Sequence, residues 1–515
     1  MPNPFKESIT DKDDFTITWE LVPGRGAREV NQEEIFEHAE ETSKHDLVDA
    51  ISLTDNPSGN PAISAEYLGM KLKEMGLEPL VHFTAKDKSR NEMESFFYSL
   101  ERENVQNLLL MTGDFPSEGY DGQSKPVFDI DSTHMIEMVQ DMNEGLKYKD
   151  SFGRSQEIKE THFFPGAVVS PFKQTEAEVL TQYYKLEKKA EAGAKFVITQ
   201  LGFDARKFHE LKQYVDDAGI DVPLIGNVYI LSYGAGRAMN RGDIPGCVVT
   251  DDLVDQLSED KDADDGGKEA YLTRAAKMYA FLKGMGYDGV HIGGHGMSYE
   301  DVEFVVDKGE ELLPDWGELV SDFDYPMEGG FYVYERDAST GLNSPTRAGL
   351  SPRPRKGFVN MTFRLMHNQL FEPDGLLFKP MQLFLRAIDG TFLEEKFQSL
   401  ERITKTITND CQECGDCALT ELAYICPMSQ CPKNQRNGPC GGSRDGMCEV
   451  YPDKQCIYVR SYNRLKEYGD QEQLKDWIPA HDWELNHTSS WLNYWLGRDH
   501  ASQKVGIEPY DPDEN

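Results

Sequence analysis

EVLTQYYKLEKKAEAGAKFVITQ, residues 178–200, is the stretch whose reading decides the fold. Val179, Tyr183, Leu186 and Ala190 recur at helical spacing, and the pattern runs out at Gly193, a residue that commonly ends helices. Three residues later Phe196–Leu201 is short, apolar and β-prone, the mark of a buried strand. A helix feeding a buried strand through a short turn is half of a βαβ unit. Working outward, the same alternation recurs. Strand-like runs are expected at Phe15–Val22, Leu47–Thr54, Leu80–Thr84, Asn107–Thr112, Phe163–Val169, Phe196–Leu201, Val222–Val228 and Gly289–Ile292. Helical patterns such as AEYLGMKLKEMG, residues 65–76, lie between them. Eight β–α alternations predict a parallel (β/α)8 TIM barrel, an α/β fold. An open doubly wound sheet is the rival, but no G-x-G-x-x-G follows the first run.

The 515 residues exceed one ordinary domain and fit a large barrel plus a smaller module. We place the barrel at residues 1–336, a Pro-, Gly- and Arg-rich linker at 337–357, and a cysteine-rich domain at 358–515. An acidic, glycine-containing loop is expected at 257–268, LSEDKDADDGGK. Trp477, Trp483, Trp491 and Trp495 are expected to pack the tail onto the barrel. The net charge of −37 disfavours nucleic acid and anionic membranes as partners. It suits an acidic enzyme, or one adapted to a salty cytoplasm. No apolar run reaches the roughly 20 residues that span a bilayer. The opening MPNPFKESITDKDDF lacks the basic and apolar regions of a signal peptide, so a cytoplasmic protein is expected.

Eight of the nine cysteines fall between Cys411 and Cys456: Cys411, Cys414, Cys417, Cys426, Cys431, Cys440, Cys448 and Cys456. In a reducing compartment such clustering points to metal rather than disulfides. The first three are spaced C-x2-C-x2-C, and proline follows Cys426 and Cys431. Eight thiolates suffice for two four-cysteine sites. Two [4Fe–4S] clusters, one cluster with a zinc, and zinc alone all remain open, and spacing does not tell which cysteines share a site. Cys247 reads as a buried thiol.

TIM-barrel chemistry sits at the C-terminal ends of the strands. The polar residues there are Glu20; Thr54, Asp55 and Asn56; His82 and Thr84; Thr112, Gly113 and Asp114; Thr199 and Gln200; and His291 and His295. Four motifs in order over about residues 15–300 resemble the methylenetetrahydrofolate reductase family: WELVP with Glu20, SLTDNP with Thr54, LLMTGDFP with Asp114, and KLEKKAEAGAKFVITQ with Lys189 and Gln200. The resemblance implies a flavin, FAD or FMN, and reduction of methylenetetrahydrofolate to methyltetrahydrofolate, or the reverse oxidation in methyl catabolism. It implies that Glu20 is the acid that protonates N10, its pKa raised by partial burial. Asp114 would face flavin and pterin, and Gln200 would bind the pterin edge. Tyr233 aligns loosely with an aromatic that stacks on the folate. Thr54, His82, Thr84, Thr112 and Gly113 would border the flavin, as would the segment KPVFDIDS at 125–132. Lys185 and Lys189, one turn apart on one helix face, would meet its phosphate, with Lys188 as readily a solvated charge.

Two features depart from the family pattern. The strand-eight end reads HIGGHGMS, where nicotinamide-dependent members carry an arginine-bearing segment. The cysteine tail is similar to the C-terminal domain found with acetogen-type two-subunit reductases, and that likeness implies iron–sulfur clusters. Electrons would then come from ferredoxin or another electron-transfer protein and reach the barrel through the tail. One alternative is an NAD(P)H-dependent reductase with a structural zinc tail. Another is a folate-binding scaffold that docks a redox or methyltransferase partner. A homo-oligomer is expected.

Overall fold

A computed structural model describes residues 3–510. Eight parallel strands close into a barrel: β1 Thr16–Leu21, β2 Ala50–Leu53, β3 Pro79–Thr84, β4 Asn107–Met111, β5 Phe164–Val169, β6 Phe196–Thr199, β7 Leu224–Ile230 and β8 Gly289–Gly294. Each expected run supplies one strand. Neighbours follow chain order, and β8 closes on β1 with Thr18 opposite His291.

The two-residue strand period sorts the side chains. Ile17, Trp19 and Leu21 face outward into the core beneath the helices, while Thr18 and Glu20 face the barrel interior. The lower interior is filled by Ala50, Leu80, Leu109, Phe164, Phe196, Ile198 and Ile225. A short helix, Pro4–Thr10, closes the bottom: Phe5 is fully buried, edge-on to Phe164 and Phe196. Asn3 pins this helix by a 2.8 Å bond from its Nδ2 to Asn107 Oδ1. With the bottom packed, polar chemistry is left to the opposite end.

Four helices frame that end: α1 Ser132–Glu144, α2 Glu176–Glu191, α3 Ala205–Ala218 and α4 Tyr233–Arg241. The tail begins with α5 Phe358–Leu370, α6 Phe378–Ile388 and α7 Phe392–Asn409, and after the cysteine loops continues with α8 Ile457–Lys466. It covers the mouth of the barrel. Tyr462 and Lys466 on α8 both donate to Glu176 on α2.

Three expectations need correction. The acidic segment 257–268 is helical up to Asp260, because Leu253 and Leu257 give the helix Asp251–Asp260 a buried face. The linker does not start at 337. Asn343–Arg347 pairs antiparallel with Tyr334–Arg336, and this hairpin packs on α3, with Arg206 Nη2 bonding Tyr334 O at 2.7 Å and Asn343 Nδ2 bonding Arg206 O at 2.9 Å. Of the four tryptophans, two reach the barrel: Trp483 Nε1 donates to Asp129 Oδ1 at 2.7 Å, and Trp477 lies edge-on to His134. Trp491 and Trp495 instead pack on Phe371 inside the tail. Among the described residues no helix is long and apolar enough to cross a membrane.

Candidate active site

Strand alternation puts Glu20, His82 and His291 in one inward layer, their ligand atoms within 4.8 Å of one another. Glu20 Oε2 lies 3.3 Å from His291 Nε2, and the other imidazole nitrogen of His291 is 2.8 Å from Thr18 Oγ1. His82 Nε2 lies 2.6 Å from Ser52 Oγ. Burial alone would raise the Glu20 carboxyl. The hydrogen bond to His291 and the charges of His291 and His82 outweigh it, leaving Glu20 below the ordinary carboxylate range. The expected rise of the Glu20 pKa is therefore corrected, and the reason is an imidazole 271 positions away that barrel closure brings alongside. Burial pushes His82 down to about 4.

Above this layer opens a cavity of about 270 Å³. Its wall brings together Thr54, His82, Thr84, Thr112, Gly113, Asp114, Lys185, Lys189 and Gln200, nine residues singled out from sequence. Ser132, from the KPVFDIDS segment, also lines it. Gly113 has φ +83°, and a Cβ there would stand 2.8 Å from Thr84, so the β4 turn needs glycine. Burial raises the Asp114 carboxyl in spite of Lys433 and Lys86 nearby. The buried polar atoms Thr54 Oγ1, Ser170 Oγ and Gln182 Nε2 have no hydrogen-bond partner, and all three residues line the cavity. Buried polar atoms are seldom left so, and the wall is suited to a polar ligand.

The tail supplies part of the wall. Lys433, Pro439, Cys440, Gly441, Gly442 and Glu449 face the same space. Lys433 pairs with Glu449, both almost fully buried, and donates to Gly113 O at 2.8 Å. Asp131 caps α1 through Thr133 N and His134 N, and its other oxygen accepts from Arg436 N at 3.1 Å and Asn437 N at 2.9 Å. Gly438, at φ +134°, passes so close to α2 that a Cβ would come 2.6 Å from Lys185 Cβ.

This docking changes the lysine reading. Lys185 Nζ donates to Gln435 Oε1 at 2.9 Å and lies 3.3 Å from the carbonyls of Gly438 and Pro439. Lys189 Nζ donates to Val168 O at 2.6 Å, and Lys188 Nζ lies 3.4 Å from Asn437 Oδ1. Lys188 is thus buried against the tail rather than solvated, and burial lowers it to about 8. Burial also lowers Lys185, and holds Lys189 well below the usual range.

Two residues do not join the site. Tyr233 begins α4 outside the barrel, its ring under Lys261 Nζ at 3.9 Å, because the strand ends at Ile230 and Ser232 caps the helix. The inward aromatic is Tyr229, whose ring lies near Gly293 beside Glu20 and whose hydroxyl is raised to about 12, by burial first and then by the Glu20 charge. The alternation of β7 was the available signal for it. His295 is exposed on the loop after β8. Lys433 and Glu449 carried no local signal, since their place depends on how the tail docks.

All eight tail cysteines are free thiols. The fold sorts them in chain order. Cys411, Cys414, Cys417 and Cys426 line one small pocket, with Lys405 Nζ 3.7 Å from Cys417 Sγ. Burial, then the charges of Cys417, Cys426 and Cys411, raises the Cys414 thiol. Cys431, Cys440, Cys448 and Cys456 form the other group. Burial raises Cys456, with Cys440 and Cys431 adding to it, and Cys448 adds to Cys431. The backbone N–H of Glu413 donates to Cys411 Sγ at 3.4 Å. Such a bond favours the thiolate, the form that ligates metal. Among the described residues no three thiols come within 4.8 Å of one another.

Comparison with known proteins matches residues 5–298 to a family model described as methylenetetrahydrofolate reductase. Residues 391–484 match one described as methylene-tetrahydrofolate reductase C terminal. The chain is 26% identical over 235 residues to methylenetetrahydrofolate reductase 2 of Schizosaccharomyces pombe, covering 44% of this chain and 35% of that protein. It thus spans about a third of the length of that curated relative. Among solved structures, an uncharacterized protein from Clostridium thermocellum, described as binding two copies of 5-methyl-5,6,7,8-tetrahydrofolic acid, superposes with a TM-score of 0.43 at 13% identity, over 60% of this chain and 99% of that one. A 2,3-dimethylmalate lyase superposes with a TM-score of 0.31 at 12% identity, over 61% of this chain and 88% of that one.

Proposed function

The chain belongs to the methylenetetrahydrofolate reductase family, and from that premise we propose that it is a cytoplasmic enzyme interconverting 5,10-methylenetetrahydrofolate and 5-methyltetrahydrofolate at the barrel mouth, with electrons relayed through the cysteine tail. One observation carries the reading: Cys440 of the second cysteine group stands on the wall of the cavity that also holds Asp114 and Gln200. A bound flavin would supply hydride transfer there, and iron–sulfur clusters would supply single-electron transfer. Thr54, His82, Thr84, Thr112, Gly113 and Asp114 would hold the flavin, with Lys185 and Lys189 bordering it. The partnerless atoms of Thr54, Ser170 and Gln182 fit a ligand rich in polar edges.

The chain's own residues account for the proton. Opening the folate ring needs a proton at N10. The pair of Glu20 Oε2 and His291 Nε2 can hold it, and transfer from that pair does not require a neutral Glu20. Gln200 Oε1 accepts from Leu201 N–H at 2.9 Å, which leaves its Nε2 to donate to a pterin carbonyl. Asp114 lends negative charge where the folate carbon becomes cationic.

The donor set of the tail supports clusters over zinc. Its first three cysteines are spaced C-x2-C-x2-C and proline follows Cys426 and Cys431, as in ferredoxin-like loops, whereas zinc sites often come as paired C-x2-C knuckles. The deciding experiment measures iron, zinc, acid-labile sulfide and flavin on anaerobically purified protein. About eight irons and eight sulfides with one flavin are expected, together with reduction by a ferredoxin-type donor. Zinc without sulfide, with flavin bleached by NAD(P)H alone, would refute the relay. Folate binding without turnover would leave a scaffold. Glu20→Gln is expected to lower turnover at least 100-fold, and near-normal turnover would remove Glu20 from the proton step.

A further inference from the structure

We propose that two copies of this chain pair through α5, α6 and α7, with α7 at the centre of the interface. The amphipathicity of α7 is inverted. The residues it buries against its own chain are Glu401, Lys405 and Asn409, while Leu393, Leu400, Ile403 and Ile407 point away, 43–80% exposed. A surface helix ordinarily does the reverse. These four outward residues follow a seven-residue repeat: Leu393, Leu400 and Ile407 stand seven apart, and Ile403 takes the intervening position. That is the seam of a helix that pairs with another helix. Exposed Lys396 takes the matching position between Leu393 and Leu400, and Ser399, Thr404 and Thr406 flank the seam.

The neighbouring helices extend the same face. α6 buries Phe378, Leu385 and Ile388 and still exposes Leu383 and Phe384, so it is apolar on both sides. Such a helix is stable only when covered. Of the 27 large apolar side chains that the described residues expose, 14 lie within 358–407. Phe358, Phe384 and Phe392, exposed by 76, 49 and 74%, leave roughly 400 Å² bare at about 200 Å² per aromatic side chain. With eleven aliphatic and methionine side chains added, the face exceeds the ~800 Å² per partner of a standard interface.

Charge selects the occupant. Residues 358–409 carry six Lys or Arg and six Asp or Glu, a balance of zero inside a chain of −37. An anionic lipid surface would find no basic rim here and would be repelled by the rest of the molecule. A second copy meets its own neutral apolar face, and a two-fold axis closes the contact.

Sedimentation velocity on the full-length protein tests this. The wild type is expected at twice the chain mass at micromolar concentration. Ile403→Glu and Ile403→Lys are each expected at once the chain mass, with unchanged circular dichroism because the side chain faces outward. Mixing the two variants is expected to restore the doubled mass. A monomeric wild type overturns the proposal, whether or not it floats with phosphatidylglycerol vesicles. So does a dimer that survives both substitutions, or a mixture that stays monomeric.

Discussion

Asp131→Ala should free the tail from the barrel mouth while the barrel stays folded. One Asp131 oxygen caps α1 through two N–H groups; the other holds Arg436 N and Asn437 N of the tail loop. Losing the cap costs about 1 kcal/mol. Each tail bond ends on a buried anion and contributes about 1.5–3 kcal/mol. The two tail bonds therefore hold the loop by at least about 3 kcal/mol, roughly a 100-fold change in its opening equilibrium at about 1.4 kcal/mol per factor of ten. Hydrogen exchange read by mass spectrometry on a peptide spanning Arg436 and Asn437 measures it directly, with or without bound cofactors. The variant is expected to exchange these amides about 100-fold faster at neutral pH, while the β3 and β4 peptides keep their protection. Acid should erase the difference. Burial opposes the Asp131 charge, but His134, Lys185 and the N–H donors outweigh it and hold the carboxyl well below its usual value. Its stabilisation is complete above the unfolded pKa of about 3.9 and is lost as pH falls below it. Equal exchange in wild type and variant at pH 7 would refute this reasoning, because the tail would then be held by other contacts.

Lys433→Met leaves Glu449 buried without its partner and is expected to cost about 3–5 kcal/mol in urea unfolding. Adding Glu449→Gln should recover a large part of this, and a double variant no more stable than the single one would rule out a direct pairing. Cys411→Ser and Cys440→Ser are each expected to remove about half of the bound iron, with only Cys440→Ser disturbing the flavin spectrum. Loss of all iron from either would show that the two cysteine groups are not independent. Burial lowers His82 to about 4, so the unfolded chain, with a pKa of about 6.5, takes up its proton first, and His82 contributes stability that is lost as pH drops from about 6.5 to 4. His82→Gln should flatten that limb of the pH–stability curve, and an unchanged limb would assign it to other groups.

The barrel and most of the cavity wall were legible in the chain because both follow from local repetition. The strand runs alternate with helices, and a residue such as Thr84 or Asp114 sits at a strand end whatever its neighbours are. Tyr233 shows the limit of that reading. A motif placed an aromatic near the folate, but the strand ends at Ile230, and the side chain that faces inward is Tyr229. Lys185 shows another limit. Its helix face was read correctly, yet its ammonium meets Gln435 and the carbonyls of Gly438 and Pro439, some 250 residues onward.

By itself the sequence determined the alternation that makes eight strands, the glycine at 113, the eight thiols and the neutral apolar stretch within an acidic chain. All of these are set by residue type and by spacings of two to seven positions. Only the tertiary structure decided that Glu20 shares its layer with His291, that the tail completes the cavity with Lys433 and Cys440, and that the cysteines divide at residues 426 and 431. The physical reason is distance through space. A carboxyl's charge state, a lysine's partner and a metal's ligand set depend on groups within a few ångströms, and here those groups come from segments that meet only when β8 closes on β1 and the tail settles over the barrel mouth.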